Sequence, residues 1–127
     1  MTIRAIVEIV LRVADMEKSL AFYRDTLGLS VFSPPELPGR FLRVGDKQGL
    51  PMQIVLVPGG STTPAADATG LHHIGLEVAP HDWQPLRDRL DAAGHATRDG
   101  AHPFMPVDAF YLNDPDGNEV EIATPRA

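Results

Sequence analysis

Glu8-Ile9-Val10-Leu11-Arg12-Val13 and His73-Ile74-Gly75-Leu76-Glu77-Val78 are two versions of one strand. Ile9, Leu11 and Val13 recur as Ile74, Leu76 and Val78, with an offset of 65 residues between position 8 and position 73. Apolar residues two apart mark a strand with one buried face. Each version is followed by a helical stretch and then by more strands, so the chain reads as one unit written twice. The repeat also puts metal-capable side chains in matching places. Glu8 and His73 open the first strand of each copy, and Gln53 and Glu121 lie in the last. Packing alone does not call for polar donors at the same places in both copies.

Working outward from the first strand, which the alternation extends over 5–13, Asp15 is placed to cap a helix and Gly28 to stop it. Met16, Leu20, Tyr23 and Leu27 form one stripe between them. Leu29 to Ser33 reads as a short strand and the prolines of 34–39 as a loop. Phe41 to Val44 and Met52 to Val57 follow as strands joined by a turn through Gly45 and Gly49. Residues 58–64 have linker composition. The second copy starts near Leu71. Its helix is expected from His81 or Asp82 to Gly94, with Trp83, Leu86, Leu90 and Ala93 buried and Pro85 tolerated in the first turn. Ala96 to Arg98, Ala109 to Asn113 and Glu119 to Ala123 complete the strands, the last two joined by the turn Asp114-Pro115-Asp116-Gly117. Each copy is therefore βαβββ: module one at about 5–57, a linker at 58–70, and module two at 71–124, within one domain spanning 1–127. Two such modules predict an α+β fold. Its mixed, mainly antiparallel sheet curls around a cleft, with the helices on the outer face.

Composition narrows the function. The 127 residues carry a formal net charge of −6 and no Lys/Arg cluster, so neither nucleic acid nor an anionic membrane is the expected partner. There is no cysteine, which excludes a disulfide framework, a zinc ribbon and a thiol nucleophile. No apolar run is long enough to span a bilayer, and the first residues lack the apolar core of a signal peptide. The default expectation is a soluble cytoplasmic protein.

Strand parity gathers the candidates onto one face. Residues two apart share a side of the sheet. If Ile9, Leu11 and Val13 pack under the helix, Glu8 points the other way. The same reasoning sets His73 opposite Ile74, Gln53 opposite Ile54, and Glu121 opposite Val120 and Ile122. Arg12 shares the parity of Glu8, where it can meet an anionic substrate or pair with Glu8.

Leu11-Arg12-Val13-Ala14-Asp15-Met16-Glu17-Lys18-Ser19-Leu20-Ala21-Phe22-Tyr23, followed by Leu27-Gly28-Leu29, resembles the first-module signature of the vicinal oxygen chelate superfamily. That group includes glyoxalase I, methylmalonyl-CoA epimerase, extradiol dioxygenases, fosfomycin-resistance enzymes and bleomycin-binding proteins. His72-His73-Ile74-Gly75-Leu76-Glu77-Val78 resembles its second-module strand, and Phe110 through Ile122 its terminal hairpin. The resemblance implies a divalent metal held by Glu8, Gln53, His73 and Glu121, which chelates two neighbouring substrate oxygens and stabilises an enediolate or similar anion. His73 and Glu121 match the commonest ligand types, and Gln53 matches a position where Glu or Gln is usual. Glu8 departs from the pattern, because that position is most often His. With a single His among the four, iron and extradiol dioxygenase chemistry are disfavoured, as is a fosfomycin-type transferase. Zinc, nickel, cobalt or manganese fits the donors.

In this reading Glu121 or Glu8 doubles as the general base. Tyr111 matches a hairpin position that faces substrate in fosfomycin-enzyme relatives. Phe41 and Val55 read as apolar walls, and the loop around Phe104 as a lid. The resulting function is a glyoxalase-like, metal-dependent lyase or isomerase acting on a small oxygenated substrate. The alternative is a metal-free, drug-sequestering binder of the bleomycin-resistance type. Family members are often homodimers, so a homodimer is expected. His72, of opposite parity to His73, reads as structural. His81, His95 and His102 read as surface or loop residues, and Asp114 and Asp116 as turn residues.

Overall fold

The computed structural model describes residues 5–59 and 71–126. Most of the linker expected at 58–70 lies outside them. The chain forms two compact units, Met1–Pro64 and Ala65–Ala127, which carry the two sequence modules.

The first unit contains β1 (Glu8–Val13), α1 (Met16–Leu20), a π-helical continuation (Ala21–Thr26), β2 (Ser30–Val31), β3 (Arg40–Val44) and β4 (Met52–Pro58). Its sheet runs in the order β1-β4-β3-β2, with β1 parallel to β4 and the other pairs antiparallel. The second unit repeats the plan with β5 (His73–Glu77), α2 (Pro80–Ala92), β6 (Arg98–Gly100), β7 (Val107–Asn113) and β8 (Glu119–Pro125), in the order β5-β8-β7-β6. Only β5 and β8 run parallel there. Each copy is thus βαβββ, and the mainly antiparallel sheet is built as two four-stranded sheets, one to a module. The first strand lies beside the last because the helix returns the chain across the sheet, and the remaining strands follow as a meander.

One face of each sheet supplies the core. In module one Leu11, Val13, Ile54 and Leu56 pack with Leu20, Phe22 and Tyr23. In module two Ile74, Phe110, Leu112, Val120 and Ile122 pack with Leu86 and Leu90. The first helix starts as its cap predicts, with Asp15 Oδ1 accepting from Lys18 N at 3.1 Å. It then widens. Leu27 N donates to Phe22 O, five residues back, at 2.9 Å. Gly28 leaves the helix at φ 83°, a conformation that L side chains avoid.

The structure departs from the sequence reading at several boundaries. β1 begins at Glu8 rather than residue 5, β2 is only Ser30–Val31, and β6 is Arg98–Gly100 rather than residues 96–98. α2 begins at Pro80 rather than His81 or Asp82, after an extended Ala79 whose side chain offers no cap. Proline at a helix start is preorganised and needs no N–H partner there, so no polar cap was required. Ala93 is exposed, because the helix ends at Ala92 and the buried stripe stops at Leu90. Trp83 is half-buried rather than fully enclosed. Its ring packs against Phe110, and Nε1 donates to Ile122 O at 3.2 Å. Asp114 is a turn residue, as read. Its Oδ1 accepts from the backbone of Asp116 and Asn118, and its Oδ2 from the Asn118 amide.

Candidate functional site

In module two β5, β8, β7 and β6 lie side by side, and parity divides their residues. Val120, Ile122, Phe110 and Leu112 face α2. His73, Glu121, Tyr111 and Gly100 share the other face. Glu121 lies across from Tyr111 on one side and from Gly75 on the other. Glu119, not Glu121, is the direct neighbour of His73, yet Glu119 leans towards Arg98 at 3.8 Å. Glu121 takes the diagonal contact instead, with His73 Nε2 3.3 Å from Glu121 Oε2.

Glu121 is 7% exposed, an uncommon burial for a carboxylate and one that requires partners. It has two, His73 and the phenol of Tyr111. Burial, then the Glu121 charge and a hydrogen bond to it, push the Tyr111 phenol above its ordinary ionisation range. Tyr111 therefore stands as a neutral donor, and its ring meets that of His73 edge-on with centroids 6.1 Å apart. The other ring nitrogen of His73 is also engaged, its Nδ1 lying 2.8 Å from Nδ1 of His72. His72 is thus more than a neighbour in sequence. With the Nε2 proton of His73 facing Glu121, the Nδ1 lone pair of His73 accepts from His72 Nδ1.

In module one Glu8 and Gln53 are Cα partners across the parallel pair β1–β4, and so share a face. Val55 and Phe41 are partners one row further along that face, Val55 buried and Phe41 half-buried. Glu8 and Arg12 are both exposed and form no ion pair among the described residues. The two donor pairs therefore differ in register: one is directly opposite, the other diagonal.

The donor chemistry of module two fits a divalent metal. Two ligand atoms about 2.0–2.1 Å from one ion at a tetrahedral angle lie about 3.3 Å apart, which is the separation of His73 Nε2 and Glu121 Oε2. Within the described residues no three His, Asp or Glu side chains form a metal-holding group.

Beyond Glu121 on the same face, Ala123 and Glu77 line a cavity of about 360 Å³ together with Val107, Met105 and Pro106. The loop read as a lid reaches this cavity through Met105 and Pro106. Phe104 is 83% exposed and is not among the residues lining this cavity, where Met105 and Pro106 stand. The loop is shaped by His102, whose Nδ1 accepts from the backbone of Phe104 and Met105. Sequence reasoning missed Gly100 entirely. The strand there was read as ending at Arg98, so Gly100 stood outside it and carried no signal.

This fold and this pair of polar faces place the molecule among the paired-βαβββ proteins. The chain belongs to the Glyoxalase/Bleomycin resistance protein/Dioxygenase superfamily, whose family model matches residues 5–122. It is 29% identical over 117 residues to the glutathione transferase FosA of Serratia marcescens, covering 88% of this chain and 74% of that one. Its fold matches a glyoxalase/dioxygenase from Nostoc punctiforme with a TM-score of 0.80 at 20% identity, covering 99% and 94% of the two chains. It also matches TnmS3, an antibiotic-binding protein from Streptomyces sp. CB03234, with a TM-score of 0.66 at 28% identity over 99% of both chains. No helix among the described residues is long and apolar enough to cross a membrane.

Proposed function

We propose that this chain is a glyoxalase-like, metal-dependent lyase or isomerase for a small oxygenated organic substrate. His73 and Glu121 are the metal donors of module two, and Glu8 and Gln53 those of module one. The observation that carries the reading is the buried Glu121 carboxylate held 3.3 Å from His73 Nε2, on the sheet face opposite the helix. A divalent ion bound there supplies Lewis-acid stabilisation of negative charge on substrate oxygen. Zinc, nickel, cobalt or manganese suits such nitrogen and oxygen donors.

The chain's own residues supply the rest. Tyr111, kept neutral, donates to Glu121 and holds its carboxylate in place. Glu121 or the exposed Glu8 serves as the base that takes a proton from the substrate carbon. The cavity of about 360 Å³, mostly apolar, receives the organic body of the substrate, a size suited to a small molecule. Arg12, Phe41 and Val55 are the proposed contacts in module one.

The test is the metal content of untagged protein, with Glu121→Ala as the control. Near-stoichiometric metal in the wild type and its loss in the variant support the reading. Absence of metal, even after incubation with each of the four ions, overturns it. The second reading, a metal-free binder of small molecules, is favoured by the 28% identity to an antibiotic-binding protein. It requires ligand binding that persists in Glu121→Ala and after chelation.

A further inference from the structure

Gly100 has an ordinary backbone. Six glycines among the described residues adopt positive φ, and Gly100 is not one of them. Any residue could hold that conformation, and glycine weakens a strand interior. What the missing side chain provides is space. Gly100 pairs with Ala109, so it stands diagonally from Tyr111 on the same face. The Tyr111 ring lies over it so closely that a Cβ would overlap ring atoms Cδ2 and Cε2. Gly75, the neighbour of Glu121 on its other side, is different: a Cβ there would meet nothing within 4 Å.

We propose that Gly100 is a positioning residue. Its bare backbone lets the Tyr111 ring lie over β6, which aims the phenol hydroxyl at Glu121 and sets the ring edge against His73. The overlapped atoms belong to a side-chain ring and not to backbone, so alanine at position 100 moves the ring rather than breaking the strand. The fold survives and the hydroxyl leaves the carboxylate. The consequence for metal binding rests on the proposed role of Glu121, whereas the placement of the ring does not.

The experiment compares Gly100→Ala with Gly75→Ala, Tyr111→Phe and the double variant Gly100→Ala/Tyr111→Phe, all confirmed as folded by thermal melts. In metal-free, isotope-labelled protein, the nuclear Overhauser contact between the Tyr111 and His73 rings is read directly. It should persist in Gly75→Ala and vanish in Gly100→Ala. Zinc or nickel affinity is then measured by calorimetry. Loss of a hydrogen bond that orients a ligand typically weakens binding about 10-fold or more. Gly100→Ala and Tyr111→Phe should each show that loss, Gly75→Ala should not, and the double variant should be no weaker than either single one. An unchanged ring contact in Gly100→Ala overturns the proposal, as does a Gly100→Ala penalty that adds in full to that of Tyr111→Phe. A wild type that binds neither metal overturns the proposed function instead, and the ring contact still decides the role of Gly100.

Discussion

At the residue scale, the surroundings of Tyr111 keep its phenol protonated. Burial makes ionising the phenol costly, and the Glu121 carboxylate beside it adds to that cost. The sign follows. The folded pKa of Tyr111 is raised above the unfolded value near 10.0, so the folded state keeps the proton longer. Its contribution to stability is complete below that value and is lost as pH rises through the folded pKa. The difference between ultraviolet titrations of the wild type and Tyr111→Phe isolates the Tyr111 transition, which should fall above that unfolded value. Glu121→Gln should bring that transition down by removing the neighbouring charge. An unchanged transition would mean that burial alone sets it. Glu121 itself was legible from parity, whereas its closeness to His73 was not. The repeat pairs Glu8 with Gln53 directly, but in module two Glu119 holds the equivalent register and the diagonal Glu121 makes the contact.

At the element scale, local chemistry accounts for most boundaries. Asp15, Gly28 and the Asp114–Asn118 turn behave as their residue types require, because caps and tight turns are satisfied within a few residues. Asp15→Ala should destabilise the protein by about 0.5–2 kcal/mol, read from urea denaturation, since it removes the acceptor for Lys18 N. The less legible boundaries depend on distant partners. The stripe of α2 ends at Leu90, short of the helix end at Ala92. Trp83 stays half-buried because its Nε1 reaches the Ile122 carbonyl. The widening of the first helix to a π-helical turn has no counterpart in the apolar spacing, which reads the same for either hydrogen-bond pattern.

At the scale of the whole molecule, the duplication leaves each sheet with two edges. β1 is an edge strand of its sheet, and Ile6 and Val10 beside Glu8 are 78% and 51% exposed. An exposed edge with apolar side chains invites pairing. We expect a homodimer, so sedimentation equilibrium should return twice the 13.8 kDa chain mass. A monomer at micromolar concentration would remove the dimer from the account. If the metal reading holds, the bound ion should also raise the melting temperature, and chelation should lower it, because ligand binding to the folded state alone stabilises that state.

The amino-acid order by itself determined the βαβββ repeat, the face on which each candidate donor stands, the cap of the first helix and the final turn. These follow from periodicity and from hydrogen bonds between residues close in the chain, and both are written locally. Only the tertiary structure decided which candidate donors approach each other, that Tyr111 and His72 engage them, that Met105 rather than Phe104 lines the cavity, and that the Tyr111 ring lies over position 100. Those outcomes depend on the register between strands and on volume shared by residues far apart in sequence, and no local pattern records either.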